Sequence, residues 1–172
     1  GVQHLATLST GEKIDGPKPL RSALKKLHRT NRELARRVKF SANWHTTKAK
    51  LARLHARIAA IRTDALHKLT TRLTQTYTEV VIEDLHVKGM LRNHSLARAI
   101  SDMGFGTFRR MLTYKAEAYG CTVHVASRWF PSSKLCRVCG VLNEALTLKD
   151  RVFVCGDCGH TEDRDVHAAK NL

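Results

Sequence analysis

The chain has 172 residues, 42% of them hydrophobic and 26% charged, which excludes wholesale disorder and collagen-like repetition and leaves room for one buried core. No apolar run approaches the roughly 18 residues of a membrane span, and the opening residues do not read as a signal peptide; a start at Gly1 is expected of a processed chain or a fragment. The formal net charge of +15 is concentrated: residues 17–76 carry +14, with Glu33 and Asp64 as their only acids, so a near-neutral body bears one strongly basic element. Such a face attracts a polyanion and gains from counterion release, which points to nucleic acid ahead of a solvated helical face or an anionic membrane surface.

In chain order, His4–Leu8 and Glu12–Ile14 read as a strand pair around a turn at Ser9-Thr10-Gly11. Residues 18–38 read as a helix with Leu20, Leu24, Leu27, Asn31, Leu34 and Val38 on one stripe, and 46–75 as a second with Leu51, Leu54, Ile58, Ile61, Ala65 and Leu69. The short connection Lys39–His45 makes the two antiparallel, with Asn31 placed to fix their register. Lys25, Lys26, Arg29, Arg32, Arg36, Arg37, Arg53, Arg57 and Arg62 fall largely off the seam, giving a stiff arm with a basic exterior.

Residues 78–85 read as a buried central strand, Val80-Val81-Ile82, that ends in Glu83 and Asp84; ligand-binding and catalytic groups often sit at such strand ends. Residues 95–119 read as helical with Leu96, Ile100, Met103, Phe108, Met111 and Leu112 inward, broken or bent by Gly104 and Gly106 and stopped at Gly120. Thr122–Ala126 is a structural strand. Alternating strands and long helices indicate an α/β domain.

Cys136-Arg-Val-Cys139 and Cys155-Gly-Asp-Cys158 are two knuckles with fifteen residues between them. Two residues between cysteines let both thiolates reach one ion at about 2.3 Å, and a glycine after each knuckle frees the turn. Leu146–Leu148 and Arg151–Val154 read as short strands of a zinc ribbon. Four thiolates close the coordination sphere, so the zinc is structural; an iron site of rubredoxin type is the alternative. Clustered cysteines in an odd number argue against a disulfide scaffold and, in an intracellular chain, for a metal. Cys121 reads as a small buried hydrophobe, and His160 as a bystander of the ribbon. Asp163 can cap a last short helix, and Asp165 reads either as an acid favoured by that helix dipole or, paired with Glu83, as an oxygen ligand for Mg²⁺. Aromatic content is only 6%, so base stacking is not the main binding mode; Trp129 and Phe130 are expected against the core or the ribbon.

The whole order resembles the RuvC-like nuclease portion of the OrfB/TnpB family, proteins of bacterial and archaeal insertion sequences related to type V CRISPR effectors. Its carriers are Gly1-Val2 through Leu8, Val80-Val81-Ile82-Glu83-Asp84-Leu85, Phe130-Pro-Ser-Ser-Lys134, the two knuckles, Asp163-Arg-Asp165 and Ala168-Ala-Lys-Asn171. The resemblance implies an α/β, RNase H-like (RuvC) fold with a long basic helical hairpin and an inserted zinc ribbon. Residues 1–16 then form the remnant of an amino-terminal β-hairpin, 17–76 the basic hairpin, 77–129 the core, 130–160 the ribbon and 161–172 the acid-bearing final helix. It also implies an Asp–Glu–Asp triad holding two Mg²⁺ ions, with Glu83 the middle acid and Asp165 the last. The first acid belongs to a segment like Asp-x-Gly-Val, whose end matches Gly1-Val2, so it is absent from this chain; His167 stands where the family usually has Asn. Implied partners are DNA and a guide RNA, without a membrane, in a bacterial or archaeal cytoplasm at the nucleoid. The implied activity is RNA-guided DNA cutting by two-metal phosphodiester hydrolysis when the site is complete. The alternatives are a truncated, inactive, zinc-containing nucleic-acid-binding remnant and an unrelated zinc-ribbon RNA-binding protein.

Overall fold

The computed structural model describes residues 4–147 and 149–172; the expected opening of the first strand at Gly1-Val2 and the Leu148 end of the first ribbon strand lie outside them. Strands β1 (Ala6–Thr7) and β2 (Lys13–Ile14) pair antiparallel around Gly11 at φ +92°. Two long helices follow, α1 (Pro19–Ala35) and α2 (Ala42–Thr76), packed against each other. Next come β3 (Glu79–Glu83), the short helices α3 (Val87–Leu91) and α4 (Ala97–Met103), α5 (Phe105–Tyr119) and β4 (Thr122–Ala126). Strands β5 (Val152–Val154) and β6 (Thr161–Asp163) then lead into α6 (Arg164–Asn171).

Strands β3 and β4 are parallel, with Glu79 opposite Thr122 and Glu83 opposite Ala126. The connection between them is helical, as a parallel crossover requires. The core lies where α2, α4 and α5 meet. Leu66, Met103 and Leu112 are almost wholly enclosed, joined by Leu69, Leu73, Ile100, Phe105, Met111 and Leu5, while Val80, Ile82 and Val123 pack against them. Lys115 is buried in the α2–α5 seam, where its ammonium donates to the His67 carbonyl (2.7 Å), Thr70 Oγ1 (2.9 Å) and Thr71 Oγ1 (2.7 Å). Burial pushes its pKa down, and three acceptors satisfy its three protons.

The amino terminus of α1 is capped from outside the helix. Asp102 of α4, 1% exposed, accepts from the Leu20 and Arg21 backbone N–H groups, both at 2.9 Å. Arg62 of α2 donates to the same carboxylate at 3.3 Å and to the Asp102 carbonyl at 3.2 Å. One buried acid therefore joins three helices and anchors the root of the basic arm.

Several expectations are corrected. The helix from residue 18 ends at Ala35, because the Val38 carbonyl accepts from both Ser41 N–H and Ser41 Oγ and the chain turns through Phe40 at φ +67°; Val38 is left 79% exposed. Asn31 is exposed and off the seam, since the enclosed side of α1 runs through Leu24, Leu27, Thr30 and Leu34. Ile61 is likewise exposed, and Arg62, expected on the outer face, is drawn in by Asp102. The interruption expected within 95–119 is present and is a full break: Gly104, in the left-handed region at φ +69°, ends α4 and begins α5. Leu96 precedes α4 and is exposed. Strand β3 is not buried on both faces; among the described residues it is bonded to β4 alone, and Val81 is 38% exposed. Gly120 closes α5 as expected, at φ +72°. Among the described residues no helix is long and apolar enough to cross a membrane.

Replacing Asp102 by Ala orphans two helix N–H groups and strips Arg62 of its counter-charge. Guanidinium denaturation in zinc-containing buffer should show a loss of about 2–4 kcal/mol, whereas Asp64→Ala on the exposed Lys68–Asp64 pair should change stability by less than about 0.5 kcal/mol.

Candidate functional site

Strand β3 delivers two neighbouring carboxylates to different work. Successive side chains of an extended segment point to opposite sides. Asp84 turns to two guanidinium groups, Arg109 of α5 and Arg128 after β4, each at 2.6 Å; Arg128 Nε also donates to the Asp84 carbonyl at 3.1 Å. The Arg109 hydrogen bond, opposed in part by burial and aided by Arg128, holds the Asp84 carboxyl below the usual range. Glu83 is exposed and accepts from Ser132 Oγ at 3.4 Å.

Asp165 enters from near the carboxyl end of the chain, in the first turn of α6. Asp163 Oδ1 accepts from the Asp165 and Val166 backbone N–H groups, both at 3.1 Å, so the expected cap is present. Lys13 of β2 pairs with Asp163 Oδ2 at 2.6 Å, fixing the strand pair to the root of α6. Burial opposes the ionisation of Asp163, but Lys13 and the two N–H groups outweigh it and hold the carboxyl low. Asp165 is half-buried beside Arg164, 3.3 Å away. Glu83 and Asp165 line one cleft of about 490 Å³, which β3, residues 5–9, α5 and α6 enclose.

Two residues without a stated role in the sequence reading hold the elements that carry these acids. Ser132 is buried and touches Glu83. Asn171, at the end of α6, donates from Nδ2 to the Ser132 and Leu135 carbonyls at 2.7 and 2.8 Å. The Phe130-Pro-Ser-Ser-Lys134 turn thus touches the strand-end acid with a hydroxyl and the last helix with its backbone. Both lie in segments singled out by sequence order, which is the signal that marked them. Trp129, expected against the core or ribbon, is instead 87% exposed, because the chain is pinned at Arg128 and turns outward before Pro131.

The four knuckle cysteines converge. Cys136 Sγ lies 3.6 Å from Cys158 Sγ and Cys139 Sγ 3.5 Å from Cys155 Sγ, and all four sulfurs lie within 4.8 Å of one another. Burial opposes ionisation of Cys136, yet the Cys139 and Val138 N–H groups and nearby thiols bring it down to about 6. The Val141 N–H favours the Cys139 thiolate, but burial and three facing sulfurs push it up to about 12. Four thiolates could coexist there only around a cation, so the cluster is suited to hold a metal ion. Around it, β5 pairs with β6, Leu135 bridges Leu142, and Phe153 is fully buried. The partner of Val152–Val154 is Thr161–Asp163. Cys121 is buried and apart, as expected. His160, expected as a bystander, joins Glu162 and His167 in a second cluster with metal-ligand spacing.

The eight cations expected to bind nucleic acid, Lys25, Lys26, Arg29, Arg32, Arg36, Arg37, Arg53 and Arg57, are all exposed on α1, α2 and the start of their connection. Arg29, Arg32, Arg36 and Arg37 enclose a groove of about 440 Å³, with Glu33 bound to Arg37 at 3.0 Å.

A family profile described as "Probable transposase", of the OrfB IS605 type, matches residues 1–94, and one described as "Cas12f1-like, TNB domain" matches residues 105–172. A "Putative RNA-guided DNA endonuclease" of Streptomyces pristinaespiralis is 49% identical over 172 residues, covering all of this chain and 42% of the relative. The "Putative RNA-guided DNA endonuclease InsQ" of Escherichia coli is 37% identical over 187 residues, covering all of this chain and 46% of the relative. The chain thus spans less than half the length of these curated relatives. Among solved structures, a chain of the Cas12f1–sgRNA–target DNA complex aligns at TM-score 0.62 and 18% identity over 93% of this chain and 42% of that one, a likeness of fold.

Proposed function

The chain belongs to the OrfB family, with a RuvC/RNase H-like mixed α/β core and a carboxy-terminal cysteine cluster, and on that premise we propose that it is the nuclease portion of a transposon-associated RNA-guided DNA endonuclease. The observation that carries the reading is the shared cleft: Glu83 at a strand end in mid-chain and Asp165 at a helix start near the carboxyl end line one volume. Their carboxylates are hard oxygen donors that fit Mg²⁺. When bound there, magnesium supplies activation of the attacking water and stabilisation of the leaving oxygen of a phosphodiester. The chain's own residues prepare that site. Ser132 Oγ orients Glu83 and leaves most of its lone pairs free, Asp163 fixes the backbone of Asp165, and Asp84 engages Arg109 and Arg128.

Residues 1–16, 77–129 and 161–172 form the nuclease core in this reading, 17–76 a basic hairpin, and 130–160 a structural zinc ribbon. DNA and guide RNA are the partners. The hairpin's exposed cations hold nucleic acid through phosphates with little base discrimination. The ribbon needs its zinc because, among the described residues, its apolar core is only Phe153, Cys136 and Cys155, with Leu146 alongside.

Three outcomes check this. Without the first acid of the triad, this chain should cut plasmid or single-stranded DNA weakly or not at all in magnesium with the guide RNA supplied; in a protein that also carries that acid, cleavage should fall by on the order of a hundredfold or more in Glu83→Gln and in Asp165→Asn, with binding retained. Cleavage that survives both substitutions refutes the assignment, and binding without cleavage even with that acid present favours the inactive binder. In a salt titration, log K should fall steeply with log salt, and changing Arg29, Arg32 and Arg36 to Gln should make the slope shallower by roughly 0.7–0.9 for each phosphate no longer neutralised; a flat wild-type response removes the electrostatic interface. Zinc chelation should raise amide exchange throughout residues 135–163 and leave Leu66–Leu73 protected; an unchanged ribbon would mean that the metal does not hold it together.

A further inference from the structure

Outside the four-cysteine centre and the cleft, one group of side chains lacks an internal explanation. His167 is fully buried, stacked on Phe153 with ring centroids 3.9 Å apart and planes 10° apart. Its Nε2 lies 2.7 Å from the Leu135 carbonyl oxygen. A carbonyl only accepts, so Nε2 carries the proton, and in the neutral ring Nδ1 is a bare lone pair. That lone pair faces Glu162 Oε2 at 3.5 Å, an acceptor against an acceptor. His160 Nε2 stands 3.5 Å from the same oxygen. Both imidazole nitrogens are buried without a hydrogen-bond partner. Glu162 is ionised: Lys170 and Arg137 bind it, and despite burial its carboxyl is held down to about 2. The arrangement asks for a cation between the three atoms.

We propose that His160 Nε2, Glu162 Oε2 and His167 Nδ1 form a second metal site, for a divalent ion of the zinc class, distinct from the four-cysteine centre. Two imidazoles and one carboxylate are a zinc donor set. Bonds of about 2.0–2.1 Å in a tetrahedron place ligand atoms roughly 3.4 Å apart, which the two 3.5 Å separations approach. The Leu135 carbonyl on Nε2–H is the orienting partner that a metal-bound histidine characteristically has, and Phe153 fixes the ring plane. Arg137, 3.1 Å from Oε2, leaves that oxygen a second lone pair, and Lys170 engages Oε1. Both cations are about one-third exposed or more, so water screens their repulsion of the ion. The ion would fasten three consecutive pieces of chain, the exit of the ribbon, β6 and α6, and so hold the helix that carries Asp165. The proposal needs neither nucleic acid nor nuclease activity.

The test is metal content of the purified full chain saturated with zinc and freed of loosely bound ion. Wild type should hold roughly two zinc ions per chain, and His160→Gln and His167→Asn roughly one, with helical circular dichroism unchanged. Cadmium-113 NMR of the wild-type chain gives an answer that does not depend on how the variants fold: a strongly deshielded four-thiolate resonance and a second, shielded resonance from nitrogen and oxygen ligands. One zinc per wild-type chain, a single cadmium resonance, or a second ion retained in both variants overturns the site.

Discussion

The placement of the candidate active site depends on the short turn between Pro131 and Leu135. Glu83 and Asp165 reach one cleft only if the end of β3 and the start of α6 are held in register, and no backbone ladder joins those two elements. The turn supplies the link: Ser132 offers its hydroxyl to Glu83 and its carbonyl to Asn171, and Leu135 offers its carbonyl to both Asn171 and His167. Buried carbonyls left without these donors would each cost about 1–3 kcal/mol, so the helix has a strong reason to stay docked. Lys13 on Asp163 adds a tie from the other side.

Charge is partitioned in the same way. The acids inside the body each hold specific cations: Asp102 takes Arg62 and the start of α1, Asp84 takes Arg109 and Arg128, and Glu162 takes Arg137 and Lys170. What remains uncompensated lies on α1 and α2, where Arg29, Arg32 and Arg36 face water. A lever that carries this much charge repels itself. Its root is therefore where an acid must be buried, and Asp102 occupies that place.

The long elements were legible because periodicity is a property of many residues. Helices α1, α2 and α5, strands β3 and β4, the knuckles and the Asp163 cap each carried a repeated or chemically restrictive pattern. Asn31 and Val38 failed for a local reason: a stripe on a helix says which side is apolar, not where the partner ends, and a serine turn ended α1 early. Strand β6 was invisible because Thr161, Glu162 and Asp163 show no apolar alternation; its existence depends on β5. The expected central strand at Val80–Ile82 was judged from composition, which cannot report how many neighbours a strand has. Glu83 is a candidate from its place at a strand end, and Asp165 only through its pairing with Glu83 and the order of motifs along the chain. Ser132 acts through a hydrogen bond to a residue 49 positions away in sequence, which no local pattern encodes.

Helix α6 has eight residues, too few to be stable alone in water. Its conformation must come from outside, and the sources are the Asp163 cap, the Asn171 bonds, the stacking of His167 on Phe153 and the β5–β6 pair. Phe153 belongs to the core of the cysteine cluster. The cysteine cluster and the acid-bearing helix therefore share one small apolar nucleus, and neither can loosen alone. A ribbon inserted between β4 and α6 is thus more than a tolerated appendage: it builds the floor on which Asp165 stands.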